Sequence, residues 1–245
     1  MNPQSIRPTL SSPPSVSLPQ DEIDALRIDA FERLLALFPP GRLVDLGAGH
    51  GKIAIRAARL GWDVVAIDAR DERFPQTDAA TFVVADVRDV DLAGYDLVVC
   101  LGLFYHLTLD DQRSLLARCA GRPLILDTHV AAGESRLEEL LSDVVEVDGL
   151  AGRMFQEGTD ARSSWINTHA FWPTPDSLGQ MLREAGYGVV LEADPWVMSD
   201  RRFYVALPVG YVFPAMGVRR QATAFARSVR FRLSRAFRAA RRAEV

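Results

Sequence analysis

Four histidines, His50, His106, His129 and His169, and three spaced carboxylates, Asp45, Asp68 and Asp86, are the side chains best suited to chemistry in this 245-residue chain. Imidazole exchanges protons near neutral pH, so a histidine beside a reacting hydroxyl serves as a general base. His106 stands in Leu103-Phe104-Tyr105-His106-Leu107, and His129 closes Leu126-Asp127-Thr128-His129. Alternation along a strand end would set Asp127 and His129 on one face as a carboxylate–imidazole pair. Such a pair could help hold a divalent cation, but two ligands do not define a metal site, so the metal stays unassigned. His169 belongs to a polar-aromatic stretch running from Ser163 to Trp172 that could line an acceptor pocket with Tyr105, Trp165 and Trp196.

His50 sits inside the sharpest local signal, Val44-Asp45-Leu46-Gly47-Ala48-Gly49-His50-Gly51-Lys52. Glycines at a strand-to-helix turn let a ligand approach the backbone, and the helix start offers free N–H groups. Asp68 follows Gly47 by 21 residues, a spacing that puts a carboxylate beside a ribose diol. A dinucleotide fingerprint would need a glycine where Lys52 stands. Asp45, just before the loop, suits a cationic amino-acid moiety better than a pyrophosphate, which favours S-adenosylmethionine.

The elements that must position these groups follow from periodicity. Ile23, Leu26, Phe31, Leu34, Leu35 and Phe38 mark an amphipathic helix stopped by Pro39-Pro40-Gly41. Strands are predicted at 42–46, 63–67, 82–85, 95–101 and 123–126, with helices at 52–60 and 110–120. Continuous Val/Ile/Leu runs indicate a parallel sheet covered on both faces. A helix at 176–185 precedes strands at 188–192 and 203–207, suited to an antiparallel closing pair. The prediction is a doubly wound, mostly parallel α/β sheet of seven strands, with an N-terminal helix and a C-terminal basic helix. Residues 131–172 break the rhythm and read as a cap or insertion within a domain spanning 21–208, and the Pro- and Ser-rich residues 1–20 read as a flexible tail.

From Leu43 to Leu207 these motifs, in this order, resemble the class I S-adenosylmethionine-dependent methyltransferases, whose fold is Rossmann-like. The resemblance implies that Asp45, Gly47, Ala48, Gly49 and Gly51 face the methionine part of the cofactor and that Asp68 holds the ribose. It places Asp86 and Val87 at the adenine, and Leu101 at the strand end that carries the sulfonium and the acceptor. His129 or His106 would be the base, with Asp127 beside the former, and Tyr105, Trp165 and His169 would meet the acceptor. Leu126–His129, Phe171-Trp172-Pro173-Thr174 and the Arg-rich composition resemble actinobacterial sugar O-methyltransferases, including those of methylmannose polysaccharide synthesis. That branch implies methyl transfer to a hydroxyl of a small polar acceptor, a saccharide.

Leu101–Leu107 also resembles the enzymes that modify the wobble uridine of transfer RNA, so a methyl- or carboxymethyltransferase of that kind is the alternative. Its carboxylated cofactor needs a basic partner, and the matching loops offer only Lys52 and Arg56. A noncatalytic cofactor-binding scaffold is the third reading. Residues 1–208 carry a net charge of −12 and residues 209–245 carry +8, so a nucleic-acid footprint at the active face is disfavoured. Phe225, Val229, Leu233 and Phe237 recur every four residues among the tail arginines, the pattern of a basic amphipathic helix. Peripheral membrane contact through 218–245, docking on the acidic body and homo-oligomerisation all remain open to it. Two cysteines, Cys100 and Cys119, form no disulfide framework, and a cytoplasmic location is expected.

Overall fold

Leu97–Leu101, and Leu43–Leu46 apart from Asp45, are apolar and buried along their whole length because the sheet they build is covered on both sides. The structure, a computed structural model, describes residues 18–158, 164–193 and 198–213. Helix α1 spans Gln20–Leu35, followed by β1 (Arg42–Leu46), α2 (Lys52–Arg59), β2 (Asp63–Asp68), β3 (Thr81–Val84) and β4 (Leu97–Leu101). Then come α3 (Leu109–Cys119), β5 (Leu124–His129), β6 (Leu141–Val147), β7 (Leu150–Gln156), β8 (His169–Pro173), α4 (Pro175–Glu184), β9 (Tyr187–Ala193) and β10 (Arg201–Pro208).

Seven strands form one sheet in the order β3-β2-β1-β4-β5-β10-β9. All its pairings are parallel except those of β10 with β5 and β9. The order reverses between β1 and β4, and ligands of such sheets bind outside the strands' carboxyl ends at that reversal. One face is sealed by a cluster containing Phe31 and Leu35 of α1 and Ala54 and Ala57 of α2. The opposite face is sealed by Leu115 and Leu116 of α3 and Leu178, Met181 and Leu182 of α4. The predicted edges that move by two residues or more are those of β4, which begins at Leu97 rather than residue 95, of β5, which runs on to His129, and of β10, which begins at Arg201 rather than residue 203.

Strands β6, β7 and β8, which fall almost wholly in the stretch that broke the α/β rhythm, form a separate antiparallel sheet in the order β6-β7-β8. Buried Gln112 of α3 ties β8 to the main body by donating to the carbonyls of Phe171, Phe104 and Leu107 at 2.6, 3.1 and 3.2 Å. A side chain at Gly152 of β7 would come within 2.6 Å of the Trp172 carbonyl, so the close approach of β7 and β8 requires glycine there. No helix among the described residues is long and apolar enough to cross a membrane. The basic helix expected at 218–245, the tail up to residue 17 and Trp196 lie outside the described residues.

Candidate active site

The β1–α2 turn is glycine-bound by its backbone. Gly47, Gly49 and Gly51 have φ of 74°, 50° and 65°, in the left-handed region. An added Cβ would lie 2.7 Å from Leu103 Cβ at Gly47, and 2.7 Å from the Phe82 ring at Gly51. Asp68, ending β2, accepts from the Gly49 and Arg70 N–H groups at 2.8 and 3.0 Å. These bonds fix the carboxylate beside the turn, and its remaining lone pairs can accept a ribose diol.

Asp45 of β1 is 2% exposed, and its Oδ2 has no hydrogen-bond partner among the described residues. Burial pushes its carboxyl up to about 7, against the Ala54 N–H, which favours the ionised form. A carboxylate held this way is stabilised by a cation brought to the turn. The orphaned oxygen and the glycine turn thus fit a cationic adenosyl cofactor. Asp45 and Leu101 lie behind the wall rather than in the lining.

A cleft opens at the strand ends, on the side where ligands of such sheets bind. Gly47, Gly49, Asp68, Asp86, Val87 and Gly102 line it. Asp86 reaches it as an ion pair, because Arg88 Nε and Nη2 donate to its two oxygens at 2.9 and 2.6 Å. That hydrogen bonding holds the Asp86 carboxyl below its ordinary value.

Arg70, Arg73 and Arg88 also line the cleft, whereas Lys52 and Arg56 pair with Asp24 and Glu32 of α1. This corrects the expectation that Lys52 and Arg56 are the available cations. The loops following β2 and β3 turn inward at the carboxyl edge and bring their own arginines.

His106 lines the cleft from the 3-10 turn Phe104–His106 that follows β4. Its Nδ1 lies 2.7 Å from Glu157 Oε1, and Glu157 Oε2 accepts from the Ser164 N–H at 2.8 Å. Asn167 Nδ2 donates to the His106 carbonyl at 3.0 Å. Residues Ser164, Trp165 and Asn167, which also line the cleft, are therefore tied to this histidine from both sides. Trp165 is 54% exposed, with the Arg70 guanidinium 5.3 Å from its ring centre and Arg70 Nη2 donating to the Ser164 carbonyl at 3.1 Å. Sequence reasoning missed Glu157 and the three arginines, and placed Ser164 and Asn167 in the stretch that could line an acceptor pocket without linking them to His106. A carboxylate 51 positions from its histidine leaves no local pattern.

Asp127 and His129 do not reach the cleft. Asp127 is completely buried and accepts from Arg201 Nε at 2.7 Å, Arg201 Nη2 at 2.9 Å and Arg27 of α1 at 2.9 and 2.5 Å. Burial alone would raise its carboxyl, but Arg201 and Arg27 hold it down at about 2. Arg201 Nη1 donates to His129 Nε2 at 3.0 Å, which leaves the ring proton on Nδ1, 3.3 Å from Asp200 Oδ2. Burial lowers the His129 imidazole, outweighing Asp200. The ring stacks on Trp172 at 4.5 Å and meets the edge of Tyr105 at 4.6 Å.

The expected Asp127–His129 pairing is thus replaced by a bond from each to Arg201, because β10 pairs antiparallel to β5 with Arg201 opposite His129. His169 is exposed on β8, its Nδ1 3.1 Å from Thr168 Oγ1, and is not brought to the cleft; His50 is likewise exposed outside the lining. Tyr105 sits between His106 and His129 behind the cleft wall. No group of three or more metal-ligating side chains occurs among the described residues.

A reversal point in a mostly parallel seven-stranded sheet, a glycine turn, an aspartate at the end of β2 bonded to that turn and an orphaned buried carboxylate fit one class: the Rossmann-like, S-adenosylmethionine-dependent methyltransferases. The chain belongs to the methyltransferase-domain family, whose profile matches residues 20–192. Over 113 residues it is 28% identical to the ubiquinone biosynthesis O-methyltransferase of Hahella chejuensis (strain KCTC 2396), covering 42% of this chain and 46% of that protein. The chain thus spans about half the length of this curated relative.

Its fold is similar to that of the N-terminal domain of EvdMO1 with SAH bound (TM-score 0.56, 23% identity, 77% of this chain and 81% of that one). It is also similar to the glycopeptide N-methyltransferase MtfA complexed with S-adenosyl-L-methionine (TM-score 0.52, 18% identity, 77% and 87%). At these identities the structural likeness shows the fold.

Proposed function

We propose that the protein transfers a methyl group from S-adenosylmethionine to a hydroxyl of a small polar acceptor, a saccharide, with His106 as general base. The observation that carries this reading is the 2.7 Å contact of His106 Nδ1 with Glu157 at the cleft wall. When bound, the cofactor supplies a methyl group already activated by a cationic sulfur. The protein's own work is alignment of the acceptor and removal of its proton. Asp45 would balance the cofactor's positive charge, Asp68 would hold its ribose, and Asp86 with Val87 would border its adenine.

Glu157 accepts the Nδ1 proton of neutral His106, which leaves Nε2 as the lone-pair nitrogen. A hydroxyl placed at Nε2 gives up its proton there, and Glu157 stabilises the imidazolium that results. Trp165 at the cleft mouth supports a saccharide, since sugar rings stack on exposed aromatic faces, and Ser164 and Asn167 add polar groups. His129 is set aside as the base because Arg201 occupies its Nε2.

The reading as a carboxymethyltransferase keeps one support: Arg70, Arg73 and Arg88 line the cleft and could receive a carboxylated cofactor. Incubation with methyl-labelled S-adenosylmethionine and pooled saccharides and glycosides tests the choice. Label on a saccharide oxygen is expected. Cofactor binding without transfer to any saccharide would count against the proposal, and transfer to transfer RNA would favour the alternative.

A further inference from the structure

Among the described residues, β9 at one edge of the main sheet is covered on only one face. β9 pairs with β10 so that Val189 lies opposite Leu207 and Leu191 opposite Val205, and opposite residues share a face. Val205 and Leu207 are buried in the cluster with Phe31, Leu35 and Phe38, whereas Val189 and Leu191 are 47% and 49% exposed. On the other face, Val190 packs against the cluster that includes Leu178 and Met181 of α4. The layer formed by α1 thus stops one strand short.

The described chain ends on this same side of the sheet. The Tyr211 and Phe213 rings lie 6.4 and 5.8 Å from Phe38, which belongs to the cluster under α1, while Val212 and Phe213 remain exposed. Residues 214–245 follow, and Phe225, Val229, Leu233 and Phe237 mark an apolar stripe within them. At helical rise the stripe is about 18 Å long. Val189 and Leu191 stand about 7 Å apart along β9, so this pair takes up less than half of the stripe.

Charge selects the occupant. Residues 1–208 carry −12 and residues 209–245 carry +8. An anionic bilayer would attract the tail but repel the body, whereas the body attracts its own tail. Tethering adds an effective concentration in the millimolar range. We propose that residues 218–245 dock in cis, laying the Phe225–Phe237 stripe on the bare Val189–Leu191 face of β9 and completing the layer begun by α1.

Hydrogen–deuterium exchange on the full chain, at a concentration where it is monomeric and without lipid, tests this directly. The amides of 225–237 are expected to be protected in the wild type and to lose that protection in Leu191→Glu. The double variant Val229→Asp/Leu233→Asp should speed exchange in β9 while β1 and β4 stay protected. If Leu191→Glu also deprotects β1 and β4, it has unfolded the body, and the tail variant alone decides. Free exchange of 225–237 in the wild type overturns the proposal, as does unchanged β9 exchange in the tail variant. Protection that vanishes on dilution in step with a dimer overturns it in favour of a second copy. Protection that appears only with phosphatidylserine vesicles overturns it in favour of a membrane.

Discussion

Asp45 and Asp127 are buried carboxylates near the ends of two strands of the same parallel sheet, and their surroundings drive them in opposite directions. Asp45 has an orphaned oxygen and is pushed up to about 7; Asp127 is clasped by two arginines and held at about 2. The histidines repeat the contrast on either side of Tyr105. His106 faces the cleft with Glu157 behind it, while His129 is sealed between Arg201 and Trp172. The lesson is that a strand-end position does not make a group catalytic. A carboxylate or imidazole held by a buried arginine away from the cleft serves the fold, and one left without such a cation beside the glycine turn, or lining the cleft, is available to a ligand.

The largest effect should come from breaking the completed region. Asp127→Ala leaves Arg201 and Arg27 without their shared carboxylate and should cost about 3–5 kcal/mol of unfolding free energy, measured by denaturant titration. An effect within ~1 kcal/mol would show that Asp127 does not anchor this region.

Asp45→Asn should act in the reverse sense. A carboxyl raised in the fold contributes stability below its unfolded value of 3.8 and loses it as pH rises through about 7. At pH 8 the cofactor-free variant should therefore be more stable than the wild type, by on the order of 2–4 kcal/mol. It should also bind S-adenosylmethionine more weakly and lose the rise in affinity expected of the wild type from pH 6 to 8. Calorimetry across that range reads both, and a variant that binds as well as the wild type would remove Asp45 from the cofactor site.

Glu157→Gln keeps a hydrogen-bond acceptor but removes the charge behind His106, so kcat should fall about 10- to 100-fold with cofactor affinity unchanged. An unaltered kcat would make Glu157 a merely structural partner. Trp165→Ala should be smallest, raising the acceptor KM about 5- to 10-fold with little change in kcat, as expected for lost stacking. A change confined to kcat would place Trp165 at the reacting centre instead.

The sheet was legible because most of its strands carry short apolar runs at regular intervals, and the Gly47–Gly51 turn with Asp68 pointed to the side expected to take the cofactor. The β6–β7–β8 sheet was not, since Leu141–Val147 and Leu150–Gln156 mix exposed polar residues with small ones and carry neither period cleanly. The antiparallel closing pair was expected, but not its register, and that register alone delivers Arg201 to Asp127 and His129. Glu157 and Asn167 meet His106 across 51 and 61 residues, through a fold no short window contains. Arg70 and Arg88 lie two residues past Asp68 and Asp86, so inspection beyond the strand ends could have revealed them.

The most direct test of the account compares kcat in His106→Ala and His129→Ala, each corrected for its folded fraction, with the acceptor found by label transfer. His106→Ala should lose about 10²- to 10⁴-fold in kcat with its affinity for S-adenosylmethionine intact, and folded His129→Ala should stay within about tenfold of wild type. Wild-type turnover by His106→Ala, or the larger loss in His129→Ala, would contradict it.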